Sequence, residues 1–206
     1  MQQLFLASSA DEVMDDIIKH LSFKPNHYQI AFINTAAESE KGDHWWVKAD
    51  RKKAEEVGFT IDEFSITGMD KNHIEERLKD KQGIFVCGGN SFYLLDQVIK
   101  SGFDQILKDK INKGIIYIGS SAGSMIIGKN IDLVPDIDDP TQAPGLKSDG
   151  LGIIDLAIQP HWGNKIFKNE YKKSFNNIYN GKAKIILLRD NQYILVEDQN
   201  YQIVQV

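Results

Sequence analysis

Short runs of apolar, β-branched and aromatic residues alternate along this chain with longer segments of helical period. This alternation is typical of βα units stacked on a mostly parallel sheet, because most of the runs are too apolar to face water on either side. Strands are predicted over 3–7, 29–34, 60–65, 84–87, 115–119, 156–159 and 184–188, helices over 11–21, 45–57, 73–79, 92–100, 103–113 and 165–179, and a closing hairpin with its turn near Asp198 to Asn200.

Composition limits the possible functions. The chain has 206 residues, 42% of them hydrophobic, which fits one domain over residues 1–206. Its formal net charge of −5 gives no electrostatic basis for binding nucleic acid, and no apolar run approaches the roughly 20 residues of a membrane span. The amino terminus does not resemble a signal peptide. We therefore expect a cytoplasmic protein without nucleic-acid or membrane partners, and leave its oligomeric state open, a homodimer being one option.

The single cysteine, Cys87, excludes an internal disulfide and a thiolate zinc cluster. It ends a predicted buried strand, where packing is the expected role for a thiol. We expect no metal and no cofactor.

The stretch GIIYIGSSAGSM, residues 114–125, runs from a predicted strand directly into a predicted helix. Within it, Gly119 to Gly123 spell G-x-S-x-G, in which a nucleophilic serine occupies a tight strand-to-helix turn. Ser121 is the centre of this motif, whereas Ser120 and Ser124 are assigned to packing or capping. A glycine-rich turn of this kind can also hold a phosphate group at the helix amino terminus.

A serine nucleophile requires a base, usually a histidine that a carboxylate orients. His161, in AIQPHWGNK, stands directly after a predicted core strand and on the same rim of the sheet as Ser121; the other four histidines have weaker positions. The orienting acid is expected in the irregular segment 132–152, where the residues alone do not decide between Asp132, Asp136, Asp138, Asp139 and Asp149.

A second glycine cluster follows the predicted fourth strand, in GIFVCGGNSFYLL. Acyl transfer needs backbone N–H groups directed at the developing oxyanion, commonly one from the residue after the nucleophile and one from a neighbouring glycine loop. Ala122 can supply the first group, and Gly88 or Gly89 the second.

FVCGGNSFYLL, YIGSSAGSM, the proline- and aspartate-rich segment and IQPHWGN together resemble, in order and spacing, the dipeptidase E family of serine peptidases, whose wider circle includes cyanophycinase. The resemblance implies a three-layer fold similar to class I glutamine amidotransferases, with a flavodoxin-like central sheet. It also implies a triad of Ser121, His161 and Asp136, with Asp138 and Asp139 in reserve.

The best-known members of that family cleave dipeptides with an amino-terminal aspartyl residue. A pocket for that side chain should contain a cation or a set of hydrogen-bond donors. Arg189, at the end of a predicted core strand, is the candidate, and a salt bridge to Asp190 or Glu197 is its alternative role. The loop from Ala37 to Trp46 is expected to cover the pocket and exclude long chains. Two other functions stay open at this point, an esterase of the α/β-hydrolase class and a non-catalytic module that binds a small anion.

Overall fold

A seven-stranded sheet forms the centre of the protein in the computed structural model, which describes residues 2–22, 24–131, 137–147, 149–172 and 184–206. Its strands are β1 (Gln3–Ala7), β2 (Gln29–Ile33), β3 (Thr60–Phe64), β4 (Gly83–Val86), β5 (Ile116–Ser120), β8 (Gln192–Glu197) and β9 (Asn200–Gln205). They are arranged in the order β3-β2-β4-β5-β1-β8-β9. The first five pair in parallel, and β8 and β9 complete one edge in antiparallel fashion.

Helices cover both faces of this sheet. They are α1 (Ala10–Ile17), α2 (Trp45–Glu56), α3 (Lys71–Arg77), α4 (Ser91–Lys100), α5 (Phe103–Asn112) and α6 (Ala122–Met125). The buried side chains of α1 and α2 join one hydrophobic core, and those of α3 to α6 join the other. The α/β fold with a mostly parallel central sheet is thereby confirmed, and its layers are helix, sheet and helix.

Strand β1 shows why a hydrophobic core lies on each face of the sheet. Its five residues are all buried, with Leu4 and Leu6 in one core and Phe5 and Ala7 in the other. Successive side chains of a strand point to opposite faces, so a strand between two helical layers must be apolar at every position. Continuous apolar runs, rather than alternating ones, therefore mark the central strands.

One part of the topology differs from the prediction. The runs predicted at 156–159 and 184–188 form strands, β6 (Ala157–Gln159) and β7 (Ile185–Leu187), but these pair in parallel as a separate two-stranded sheet. The hairpin of β8 and β9 turns at Asp198 as predicted. Of the predicted helix 165–179, residues 168–172 are helical, 165–167 form a bend and turn instead, and 173–179 lie outside the described residues. None of the helices in the described residues has the length and apolarity needed to span a bilayer.

Candidate active site

Ser121 occupies a sharp turn between β5 and α6 at the centre of the sheet. Its backbone has φ 49° and ψ −109°, a conformation that a residue with a side chain rarely adopts. Its N–H donates to the Ala7 carbonyl at 3.1 Å, and its carbonyl accepts the N–H of Ser124 at 2.9 Å. The turn therefore holds Ser121 at the carboxyl end of β5, where open α/β sheets bind ligands.

The small residues around Ser121 are required by close approach of the backbone. A Cβ atom on Gly123 would lie 2.1 Å from the Val86 carbonyl oxygen, and one on Gly119 would lie 2.7 Å from the Ser124 nitrogen. The neighbouring serines have structural partners: Ser120 Oγ accepts the Ala10 N–H at 3.1 Å, and Ser124 Oγ donates to the Ala7 carbonyl at 2.7 Å. Their assignment to capping and packing agrees with these contacts.

His161 lies beside this serine. It follows β6, has a positive φ of 59°, and its Nε2 is 2.9 Å from Ser121 Oγ. Phe167 covers the imidazole with its ring centroid 5.2 Å away and an interplanar angle of 30°. A serine hydroxyl can transfer its proton to an imidazole in this geometry.

The other ring nitrogen of His161 contacts a carboxylate that the sequence analysis did not assign to this role. Nδ1 is 2.6 Å from Asp190 Oδ1. Since a carboxylate only accepts hydrogen bonds, Nδ1 carries the proton and Nε2 is left to accept from Ser121. The hydrogen bond from His161 lowers the pKa of Asp190 to about 2.

Two further side chains hold this carboxylate. Ser8 Oγ donates to Asp190 Oδ1 at 3.0 Å and accepts the His161 backbone N–H at 2.7 Å. Asn164 Nδ2 donates to Asp190 Oδ2 at 2.8 Å. Ser8 follows β1, so the carboxyl ends of the adjacent strands β1 and β5 both contribute to the constellation.

Asp138 and Asp139, which the sequence analysis held in reserve for the triad, have other hydrogen-bond partners. Asp138 Oδ2 accepts the Ser91 N–H at 2.8 Å, and Asp139 caps a short 3₁₀ turn by accepting the Thr141 N–H at 2.9 Å. Neither contacts the His161 ring. Asp136 lies outside the described residues, and the position at Nδ1 for which it was predicted is held by Asp190.

The pairing of β6 with β7 explains why Asp190 reaches His161. β6 and β7 are parallel neighbours, with Gln159 paired to Leu187. Residues that follow parallel neighbouring strands meet at one edge of their sheet, which brings together His161 after β6 and Asp190 after β7. The sequence predicted both strands but not that they are neighbours.

The predicted oxyanion residues adjoin Ser121. Gly88 is so close that a Cβ atom on it would lie 3.2 Å from Ser121 Cβ. Ala122 is the first residue of α6. Among the described residues, no acceptor receives the N–H of Gly89 or Ala122. Cys87, by contrast, is fully buried, and burial raises the pKa of its thiol well above the usual range.

A cavity of about 410 Å³ opens over Ser121 and His161, within the size range of small-ligand sites. Its described lining includes the oxyanion glycines and Trp45. Apart from His161, its ionisable side chains are all acidic: Asp11, Glu12, Glu40, Asp50, Asp138 and Asp190. Burial raises the pKa of Asp50 to about 7 and that of Asp138 to about 6. Lysine and arginine are absent from this described lining.

Arg189 is not in this lining and is exposed. Its neighbour Asp190 lies in the turn that follows β7 and faces the cavity instead. The other two arginines form ion pairs elsewhere, Arg51 with Glu55 and Glu63, and Arg77 with Asp62. The expectation that Arg189 binds a substrate carboxylate therefore has no support from its position.

Comparison with known proteins gives the family. The model of peptidase family S51 matches residues 4–204. The chain belongs to peptidase family S51. The resemblance to the dipeptidase E family is thereby confirmed. Membership of this family makes the protein a peptide hydrolase.

Relatives of the S51 chain cover nearly its whole length. An uncharacterized peptidase of Pasteurella multocida is 33% identical over 97% of this chain and 95% of its own, and one of Listeria innocua is 30% identical over 97% and 94%. A crystal structure of a candidate peptidase E from Listeria monocytogenes superposes with a TM-score of 0.91 at 28% identity, covering 100% of this chain and 99% of that chain.

Proposed function

We propose that the protein is a serine peptidase that hydrolyses short peptides through an acyl-enzyme. The observation that carries this proposal is the continuous contact from Ser121 Oγ to His161 Nε2 and from His161 Nδ1 to Asp190, at 2.9 and 2.6 Å. This is the arrangement of a nucleophile, a base and an orienting acid. In this proposal Asp190 takes the role that the sequence analysis gave to Asp136.

The reaction follows from the positions of these groups. Ser121 Oγ attacks the peptide carbonyl while its proton passes to His161 Nε2. The oxyanion of the tetrahedral intermediate accepts the N–H groups of Gly89 and Ala122, and His161 then donates its proton to the leaving amine. Water, activated by the same imidazole, hydrolyses the ester. Asp190 fixes the tautomer and stabilises the imidazolium in both steps.

The charge of the cavity bears on the substrate. Two like charges about 4 Å apart near a protein surface repel by about 4 kcal/mol. An aspartyl side chain of the substrate is therefore disfavoured beside the acidic side chains that line the cavity. A free α-ammonium group is favoured by the same field. We therefore propose substrates with a free amino terminus and a neutral or basic first residue, and we do not carry over the aspartyl preference of the best-known relatives.

The segment 37–46 supports a restriction to short peptides. Glu40, Trp45 and Trp46 all line the cavity. His44 precedes α2 as its N-cap residue, with a left-handed φ of 45°, and its ring Nε2 lies 2.8 Å from the Glu40 carbonyl oxygen. This local fold brings the segment over the cavity, where it would obstruct a long chain.

A peptide panel tests the proposal. Wild type and Ser121→Ala are compared on dipeptides with lysyl, alanyl, asparaginyl and aspartyl first residues. We expect cleavage of the lysyl and alanyl members, a preference over the aspartyl member of at least about 100-fold in kcat/KM, and loss of all cleavage in the variant. Serine-dependent cleavage of the aspartyl member alone would retain the mechanism and refute the proposed specificity. Equal activity of Ser121→Ala would refute the mechanism.

A further inference from the structure

Trp46 has a polar contact that packing alone does not require. It is the second residue of α2, half-buried, and packs against the core that α1 and α2 share. Its indole Nε1 donates a hydrogen bond to the Gly88 carbonyl oxygen at 3.0 Å. The contact therefore joins α2 to the glycine loop beside Ser121.

The peptide that accepts this bond is the one that carries the Gly89 N–H. The carbonyl of Gly88 and the N–H of Gly89 belong to one trans peptide plane, so they point in opposite directions. A donor that fixes the carbonyl also fixes the N–H. Polarisation through a chain of hydrogen bonds strengthens the N–H as a donor.

The backbone at Gly89 packs closely against the Ala36 carbonyl, which leaves little room for it to shift in that direction. A Cβ atom on Gly89 would lie 2.2 Å from the Ala36 carbonyl oxygen, and that oxygen also accepts the Asn90 N–H at 2.9 Å. On the other side, Gly88 adjoins Ser121. Rotation of the Gly88–Gly89 peptide about its flanking bonds would turn the Gly89 N–H away. The indole bond opposes this rotation, together with the longer contact of Cys87 Sγ to the same carbonyl at 3.3 Å.

We propose that Trp46 is a positioning residue for the oxyanion hole, holding the Gly88–Gly89 peptide so that the Gly89 N–H faces the developing oxyanion. This inference rests on the proposed serine mechanism. Trp46 acts through the peptide and makes or breaks no bond itself. Its contribution should therefore appear in the tetrahedral state and not in binding of the ground-state substrate.

Two substitutions separate the donor from the bulk of the side chain. Trp46→Phe keeps a large ring and removes the N–H. Trp46→His keeps a five-membered ring whose Nε2 corresponds to the indole Nε1, and removes the bulk. Tyr201→Phe is the control, because it also removes a polar donor from an aromatic ring, and Tyr201 is 50% exposed on β9 and outside the described lining of the cavity.

An α-aminoboronic acid measures the tetrahedral state directly. Ser121 Oγ adds to the trigonal boron, its proton passes to His161, and the boron becomes a tetrahedral anion with an oxygen towards the glycine loop. Removing one oxyanion donor lowers kcat by about 10²- to 10³-fold. Since Trp46 acts indirectly, we expect Trp46→Phe to lower kcat and boronate affinity each by about 10- to 100-fold, with KM changed less than about threefold.

In Trp46→His we expect a smaller loss of boronate affinity relative to KM than in Trp46→Phe. In Tyr201→Phe we expect a ratio of boronate affinity to KM within about twofold of that of the wild type. Thermal melting of each variant confirms that it is folded at the assay temperature. An unchanged ratio in Trp46→Phe, or a loss as large in Trp46→His, would overturn the inference. Absence of serine-dependent activity in the wild type would refute the proposed function instead, so the two failures are distinguishable.

Discussion

Replacing Asp190 by Asn should reduce catalysis by about four powers of ten. The carboxylate accepts three hydrogen bonds, from His161 Nδ1, Ser8 Oγ and Asn164 Nδ2. An amide has one accepting oxygen and one donating NH₂, so it cannot satisfy all three donors. When the oxygen faces Asn164, the NH₂ faces Nδ1 and forces the proton onto Nε2, which can then no longer accept from Ser121.

The expected size follows from this loss of the correct tautomer together with the charge that stabilises the imidazolium. A fall of about 10⁴ in kcat corresponds to about 5.5 kcal/mol in the activation free energy. KM should change little, because the substrate carbonyl does not contact Asp190 in the mechanism. Steady-state kinetics on the best dipeptide measure both values, and thermal melting checks that the variant remains folded.

Asp136→Asn and Asp138→Asn are the comparison variants for this experiment. Each removes one carboxylate that the sequence analysis considered for the triad, and we expect each to lower kcat by less than about tenfold. A loss of about 10⁴ in Asp136→Asn, together with near wild-type kcat in Asp190→Asn, would refute the assignment of Asp190.

Three further predictions follow from the cavity and its walls. Burial raises the pKa of Asp50 to about 7, so the folded state keeps this proton at pH values where the unfolded chain has lost it. The free energy of unfolding therefore falls as pH rises from about 4 to about 7. Asp50→Asn should remove a slope of about 1.4 kcal/mol per pH unit in that window, and urea unfolding of both proteins at pH 5 and pH 7 would contradict this if their stability difference stayed constant. Gly89→Ala should be strongly destabilised, because its Cβ would meet the Ala36 carbonyl at a positive φ, whereas Gly88→Ala should fold and lose activity through contact with Ser121; equal melting temperatures of the two variants would refute this. Deleting 41–43, the tip of the segment over the cavity, should admit longer peptides, and unchanged chain-length selectivity would argue against the covering role.

Much of the fold could be predicted because each central strand is buried on both faces. That burial requires continuous apolar runs, and such runs are visible without any knowledge of the partners. The pairing of β6 with β7 was not visible in this way, because residue pattern identifies a strand but does not give its neighbour. The separate small sheet therefore had to come from the structure.

The difference between recognising a strand and knowing its neighbour also explains which site residues could be predicted. Ser121 and His161 could be nominated because each directly follows an apolar run, and local chemistry distinguishes them from other serines and histidines. Asp190 was considered only as an ion-pair partner of Arg189, since its role depends on the neighbour of β7. Ser8 has no motif of its own, and its contact with Asp190 spans 182 residues of sequence.

The most direct test of the account is to identify the residue that a fluorophosphonate probe modifies. The protein is labelled, digested and mapped by mass spectrometry, with Ser121→Ala labelled in parallel. The account predicts one adduct on Ser121, formed at a rate that falls with peptidase activity in Asp190→Asn. Hydrolysis of peptides without any adduct, or an adduct on Ser120 or Ser124 that persists in Ser121→Ala, would contradict it.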